Sequence, residues 1–178
     1  MKVHLARTLT ATAVATAAFL LALPAGATAS TGPTVTASHA GAQRAHGDFI
    51  ATVDFASLQA RDVRGNKCEF TVNGTLTFTG TVEGDAVGTT TAVIFAPCED
   101  ALAAPPGTYV DLFRFDGDFT GEVLGEPTSG SLSYAGVTRV GGVIDATVIL
   151  DGDDARAVLR VDAQVAVGGT YSGVAKRS

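Results

Sequence analysis

Apolar and polar positions alternate along residues 70–82. One set of positions is apolar or glycine, and the other is almost entirely threonine. Because successive side chains of a strand point to opposite faces, this alternation predicts a long strand with one buried and one solvated face. Such a strand is typical of an antiparallel sheet that buries one face.

The same pattern recurs along the rest of the chain and predicts about eight or nine strands. We expect strands at 49–55, 70–82, 87–95, 109–115, 119–124, 143–150, 157–167 and 171–174, with a short one at Leu132 and Tyr134. Turn residues predict tight turns at 83–85, 117–118 and 151–154. Residues 58–66 are expected to form a loop or a short helical turn, and residues 99–107 a long loop.

These elements predict an all-β fold, a single antiparallel β-barrel of about eight strands over residues 46–178. Closure into a barrel removes the exposed sheet edges that favour aggregation. Glycines within the strands suit the bends of a small barrel. A two-sheet β-sandwich is the alternative.

The first 29 residues predict a secretory signal peptide. Lys2 and Arg7 precede an apolar run of about fifteen residues, and Ala27-Thr28-Ala29 is a small-x-small cleavage site. The run is shorter than the roughly 20 residues that span a bilayer, so we expect no stable membrane insertion after cleavage. Residues 30–45 are expected to form a flexible tail, and the product to be secreted and extracellular.

The charge balance argues against two classes of partner. Removing residues 1–29 takes away Lys2 and Arg7 and no acid, which moves the formal net charge from -6 to -8. An acidic surface repels phosphate backbones and anionic lipids. Nucleic acid and membrane surfaces are therefore not expected partners.

Cys68 and Cys98 are the only cysteines of the chain. In an oxidising compartment, an isolated pair most simply forms a disulfide. A nucleophilic or metal-binding thiol is the alternative, but no histidine lies nearby in the sequence.

Familiar catalytic and metal-binding patterns do not emerge. The histidines of the secreted part are His39 and His46, at or before the start of the barrel, where a general base of a hydrolytic triad is not expected. Cysteine and histidine spacing does not fit zinc, and the aspartate-glycine segments 116–118 and 151–154 fit turns better than calcium loops. We expect no metal and no cofactor.

Asp111 is the candidate residue for chemistry, because it shares a strand face with Tyr109, Phe113 and Phe115. If that face lines a cavity, burial raises the pKa of the carboxyl group, as in a general acid or a ligand anchor. Two other readings stay open. Val110 and Leu112 could face the core instead, or Asp111 could form a buried ion pair with neighbours of Arg114.

Two tyrosines, Tyr134 and Tyr171, are further candidates for the same cavity. Each hydroxyl could orient a ligand there, or simply sit at a rim while the ring packs.

Three glycine-rich segments carry a resemblance to a known family. They are Gly74-Thr75-Leu76-Thr77-Phe78-Thr79-Gly80, Phe115-Asp116-Gly117-Asp118-Phe119-Thr120-Gly121 and Gly168-Gly169-Thr170-Tyr171-Ser172-Gly173. Their glycine spacing and strand rhythm resemble the allene oxide cyclase-like and dirigent-like barrels, including small secreted bacterial members of unassigned role. The resemblance implies an eight-stranded barrel with a hydrophobic cavity. Plant members guide cyclisation or coupling of reactive intermediates, but none of their catalytic positions is matched here.

Three functions follow as hypotheses. The first is a barrel that binds a small apolar molecule or serves a structural role, with Asp111 and a tyrosine orienting the ligand. The second is an isomerase or cyclase in which Asp111 manages a proton. The third is a protein-interaction module that uses the loop 98–106. Whether the protein is an enzyme stays open at this point.

Overall fold

The computed structural model describes residues 41–178, and the expected signal peptide and most of the expected tail lie outside this range. Eight antiparallel strands form a closed barrel in which each strand pairs with the next and β8 pairs with β1. The strands are β1 Gln43–Val63, β2 Lys67–Gly80, β3 Val82–Ile94, β4 Asp111–Val123, β5 Glu126–Thr138, β6 Val143–Gly152, β7 Ala155–Gln164 and β8 Gly168–Arg177, and one short helix, α1 Cys98–Ala103, follows β3. The all-β barrel is therefore confirmed, and the β-sandwich is not the fold.

The strands are staggered around the barrel. Following paired residues once around from Ile94 on β3 returns to Gly84 on the same strand. Strand number and stagger together set a barrel's width, and eight strands enclose an interior that side chains can fill or that can hold one small ligand.

One end of the barrel, called the closed end here, is filled with side chains. It carries the β2–β3, β4–β5 and β6–β7 turns. The largest fully buried side chains include Phe78, Val82, Phe119, Val123 and Leu150. Rings of Phe78 and Phe119 meet edge to face at 6.4 Å between centroids. These closely packed side chains belong to the main apolar core of the barrel.

The opposite end, called the open end here, is less uniform because β1 and β2 continue beyond the point where β8 stops pairing with β1. Pairing between β8 and β1 stops at Ile50, whereas β1 continues to Val63 and stays paired with β2. Part of the inner face of β1 and β2 therefore projects beyond the end of the β1–β8 pairing. The chain that crosses from β3 to β4, including α1, lies at this end.

The first strand differs from the sequence expectation at both ends. It begins at Gln43, inside the expected tail, because residues 43–45 pair with β8 and Ala45 is buried. The expected loop or helical turn at 58–66 is wrong over 58–63, which belongs to β1. A bulge between Asp54 and Gln59 interrupts the alternation there. Side-chain hydrogen bonds stabilise it: the Ser57 hydroxyl donates to the Asp54 carbonyl oxygen at 2.7 Å and accepts from the Asn73 N–H at 2.9 Å.

Two expected turns are also wrong. Residues 83–85 lie within β3, and the chain reverses around Thr81 instead. Residues 117–118 lie within β4, so that the expected strands 109–115 and 119–124 are one strand. Gly117 has a packing role there, because a Cβ atom at this position would lie 2.8 Å from the Phe115 ring. The turn expected at 151–154 is confirmed in its second half, because residues 153–154 connect β6 and β7.

Candidate ligand-binding cavity

The open end contains a cavity of about 300 Å³. Its walls are the inner faces of the strands, and its cover is the segment 101–109, which follows the start of α1. Small side chains leave the space: Ala51, Gly74 and Ala92 line the cavity, where the closed end carries Phe78 and Phe119 at inner positions. This volume is within the range of small-molecule pockets. The cavity is part of the barrel interior.

Asp111, the first residue of β4, points into this cavity. Among the residues of the described range 41–178 that line the cavity, it is the only charged side chain. Loss of water around the carboxyl group raises its pKa from 3.8 to about 6, and a hydrogen bond from the Thr138 side chain opposes part of this rise. Thr138 lies opposite Asp111 on β5 and is itself buried.

The aromatic face predicted from the alternation is the inner face of β4. Tyr109, Phe113 and Phe115 line the cavity together with Asp111, and only 2% of Phe115 is exposed. Val110 is 38% and Leu112 is 53% exposed. The alternative that Val110 and Leu112 face the core is therefore wrong.

The second alternative, a buried ion pair near Arg114, is also not what the described residues form. Arg114 lies on the outer face of β4 and pairs with Asp116 at 2.7 Å, with both side chains more than half exposed. No lysine, arginine or histidine occurs among the described residues that line the cavity. Asp111 thus faces the cavity without a cationic neighbour in its wall.

Tyr134, on β5, lines the same cavity. Its ring packs edge to face on Phe113 at 4.9 Å and on Phe49 at 5.8 Å between centroids. The tyrosine is 5% exposed, and its hydroxyl has no hydrogen-bond partner among residues 41–178. Burial, and in second place the charge of Asp111, raise the pKa of the Tyr134 hydroxyl, so that it keeps its proton. A buried hydroxyl group without a hydrogen-bond partner lowers the stability of a fold.

Tyr171 lies elsewhere, at the closed end. Its hydroxyl accepts a hydrogen bond from the Val82 N–H at 2.9 Å and is within donating distance, 3.1 Å, of the Thr79 and Val82 carbonyl oxygens. Gly47 and Gly80 leave room for this hydroxyl, and Gly80 has a φ of +110° that side chains rarely adopt. Tyr171 fastens the β2–β3 turn and is not among the cavity residues.

The predicted disulfide between Cys68 and Cys98 is confirmed. It ties the first residue of α1 to β2, next to a small cluster that includes Ala96, Ala101 and Tyr109. On the other side, the Gly107 carbonyl oxygen accepts a hydrogen bond of 2.9 Å from the Gly141 N–H in the β5–β6 turn. We call residues 98–109 the cap segment, because it is held at both ends and covers the cavity.

The long loop expected at residues 99–107 is wrong over 99–103, which belong to the helix α1. Ala101, Leu102 and Pro105 of the cap segment line the cavity. A role for residues 98–106 in binding a protein partner stays a prediction. The cover over the cavity is the feature that the sequence did not reveal.

Comparisons with known proteins do not extend this description: no protein-family model matches the chain, and no curated protein matches it. Across residues 41–178, no helix is long and apolar enough to cross a membrane. Within the same residues, histidine, cysteine, aspartate and glutamate side chains do not gather into a group of three that could hold a metal ion.

Proposed function

We propose that this protein is exported and binds a small apolar molecule in the cavity at the open end of the barrel. The observation that carries the proposal is the cavity itself, about 300 Å³ in volume, with mostly apolar walls and one carboxyl group. Ligand sites are commonly concave and apolar, with few polar groups that set orientation. Asp111 and the Tyr134 hydroxyl supply these groups.

The contrast between the two barrel ends supports binding over a purely structural role. A structural barrel gains stability from complete packing, as at the closed end, since unfilled apolar space costs stability. The open end instead combines small inner side chains with an unpartnered tyrosine hydroxyl. A ligand that fills the space and accepts from Tyr134 removes both costs.

Export is proposed from the amino terminus and the cysteines together. Residues 1–29 have the order of a signal peptide, and the Cys68–Cys98 disulfide is of the kind that persists in oxidising compartments.

An isomerase or cyclase is the second candidate, and the environment of Asp111 favours it. A carboxyl group with a pKa of about 6 exchanges protons near neutral pH. The resemblance to allene oxide cyclase-like barrels, whose plant members guide cyclisation, also supports the proposal of an isomerase or cyclase. Under this candidate, Asp111→Asn abolishes turnover while the barrel still binds apolar probes.

A titration with the neutral fluorescent probe N-phenyl-1-naphthylamine tests the binding proposal. Fluorescence should rise and saturate at one probe per chain with the unmodified protein. Ala92→Trp places an indole ring in the cavity and should abolish the rise. Thr91→Trp, the control, puts the same ring on the exposed outer face of β3 and should leave binding unchanged. Equal binding by both variants, or none by the unmodified protein, would contradict the proposal.

A further inference from the structure

The cavity has one charge, and that charge is negative. Within the part of the chain that the structure describes, Asp111 is the single ionisable acid or base other than tyrosine that lines it. Thr138 from β5 supplies a hydroxyl to the carboxyl group, and Tyr134 from the same strand supplies a phenol. Tyr109, on the same side of the chain as Asp111, completes the titratable groups of the wall.

Neighbouring basic side chains do not neutralise this carboxylate. Arg114, the basic residue nearest in sequence, is on the outer face with Asp116. Arg139, at the open end after β5, pairs with Asp145 at 2.7 Å on the outside of the barrel. A carboxylate placed in an apolar wall without a cation is unfavourable unless something else supplies the positive charge.

Aromatic rings line the same cavity as Asp111. Phe113 and Phe115 follow Asp111 on the inner face of β4, Tyr134 packs against Phe113, and Phe49 packs against Tyr134. The faces of aromatic rings attract cations, most strongly where water is excluded. Carboxylate and rings therefore favour the same kind of ligand group.

We propose that the cavity selects a protonated amine joined to a compact apolar body, with the ammonium group at Asp111 and the apolar part among the aromatic rings. This inference rests on the proposed binding function and adds the chemical class of the ligand. An ammonium group adds the attraction of a full positive charge to the hydrogen bonds that it donates to the carboxylate, whereas a neutral hydroxyl group supplies a hydrogen bond alone. A carboxylate ligand meets repulsion from Asp111, and the acidic chain as a whole attracts cations.

Three naphthalene probes that differ in one group test the class. They are 1-naphthylmethylamine, which is protonated near neutral pH, the neutral 1-naphthalenemethanol and the anionic 1-naphthoate. We expect the amine to bind on the order of 10- to 100-fold more tightly than the alcohol, by isothermal titration calorimetry. The naphthoate should bind most weakly.

Asp111→Asn keeps the size of the side chain and removes the charge. It should abolish the preference for the amine and leave the affinity for the alcohol within a few-fold. Asp118→Asn is the control, because it makes the same charge change on the exposed outer face of β4. The preference should survive in this variant.

The outcomes separate this inference from the binding proposal. Equal affinity for amine and alcohol, or a preference that Asp111→Asn leaves intact, overturns the amine class while binding stands. Failure of all three probes and of N-phenyl-1-naphthylamine overturns both.

Discussion

The Asp111 carboxyl group makes the free energy of unfolding depend on pH. Its pKa is raised from 3.8 to about 6 by loss of hydration. Between these two pH values the folded state binds more protons at this site than the unfolded state. Stability at this site is therefore highest below about pH 4 and is lost as the pH rises through about 6.

Asp111→Asn should remove this cost. At about pH 7.5 and without ligand, we expect the free energy of unfolding to rise by about 1 kcal/mol, a modest value because the carboxyl group is only partly buried. At about pH 4 the effect should be nearly absent, since the native carboxyl group is then largely protonated in the fold. Urea denaturation at both pH values measures this, with Asp118→Asn as control. An equal effect at both pH values would contradict the assigned cause.

The two buried tyrosines give opposite expectations for the same substitution. Tyr171→Phe removes a hydroxyl that bridges Val82 and Thr79 and should lower the free energy of unfolding by about 1 to 3 kcal/mol. Tyr134→Phe removes a hydroxyl without a partner among the described residues and should be neutral or raise it by about 1 kcal/mol. Thermal and chemical denaturation of the two variants provide the comparison. Similar losses in both would mean that the Tyr134 hydroxyl is satisfied in solution.

For single residues, the alternation of apolar and polar positions predicts which face of a strand a side chain is on, but not which other side chains it contacts. The shared face of Asp111, Phe113 and Phe115 is confirmed as an inner face because the strand period of two is a local property. Tyr134 and Tyr171 are equivalent in the sequence, yet they lie at opposite ends of the barrel. Their positions depend on strand register, which forms only when distant strands pair.

Among the elements, the cap segment depends most on a single covalent bond. The Cys68–Cys98 disulfide joins it to β2 across 30 residues of sequence, and Cys68 is completely buried. Further support comes from the hydrogen bond between Gly107 and Gly141. Without the disulfide, the amino-terminal end of the cap segment is no longer covalently joined to β2.

Replacing both cysteines, as Cys68→Ala with Cys98→Ala, should lower the free energy of unfolding by about 3 kcal/mol on the chain-entropy model. It should also speed release of N-phenyl-1-naphthylamine, because the cover over the cavity is held at one end only. Denaturation and stopped-flow dissociation measure the two effects. A loss of stability with an unchanged release rate would show that the cap segment does not control access.

Predicted strand boundaries were wrong where residues typical of turns lie inside a continuous strand. Asp-Gly at 117–118 satisfies turn statistics, but pairing with both neighbouring strands continues through it. The bulge in β1 shifts the alternation and so imitates the end of a strand. The six residues of α1 are too few for a recognisable helical stripe. Strand content was predictable because it depends on many positions at once, whereas the choice between barrel and sandwich was settled only by the pairing of β8 with β1.

The whole barrel is asymmetric along its axis. Large side chains such as Phe78, Phe119 and Leu132 fill its interior towards the closed end. Small ones such as Ala51, Gly74 and Ala92 leave the open end with its cavity. Once the inner face is known, this gradient in side-chain size is visible in the sequence. The strand register alone determines which small residues lie next to one another across the strands. The cavity could therefore not be located from the sequence.

Mapping the probe by nuclear magnetic resonance tests the binding claim most directly. In ¹H–¹⁵N spectra of the ¹⁵N-labelled protein, N-phenyl-1-naphthylamine should shift the amide signals of Ala92, Asp111 and Thr138 at the open end. Signals of Val82 and Val123 at the closed end should stay in place. Saturating shifts confined to the open end are the predicted result. Absence of shifts at the open end, or shifts only on the outer face of the barrel, would contradict the account.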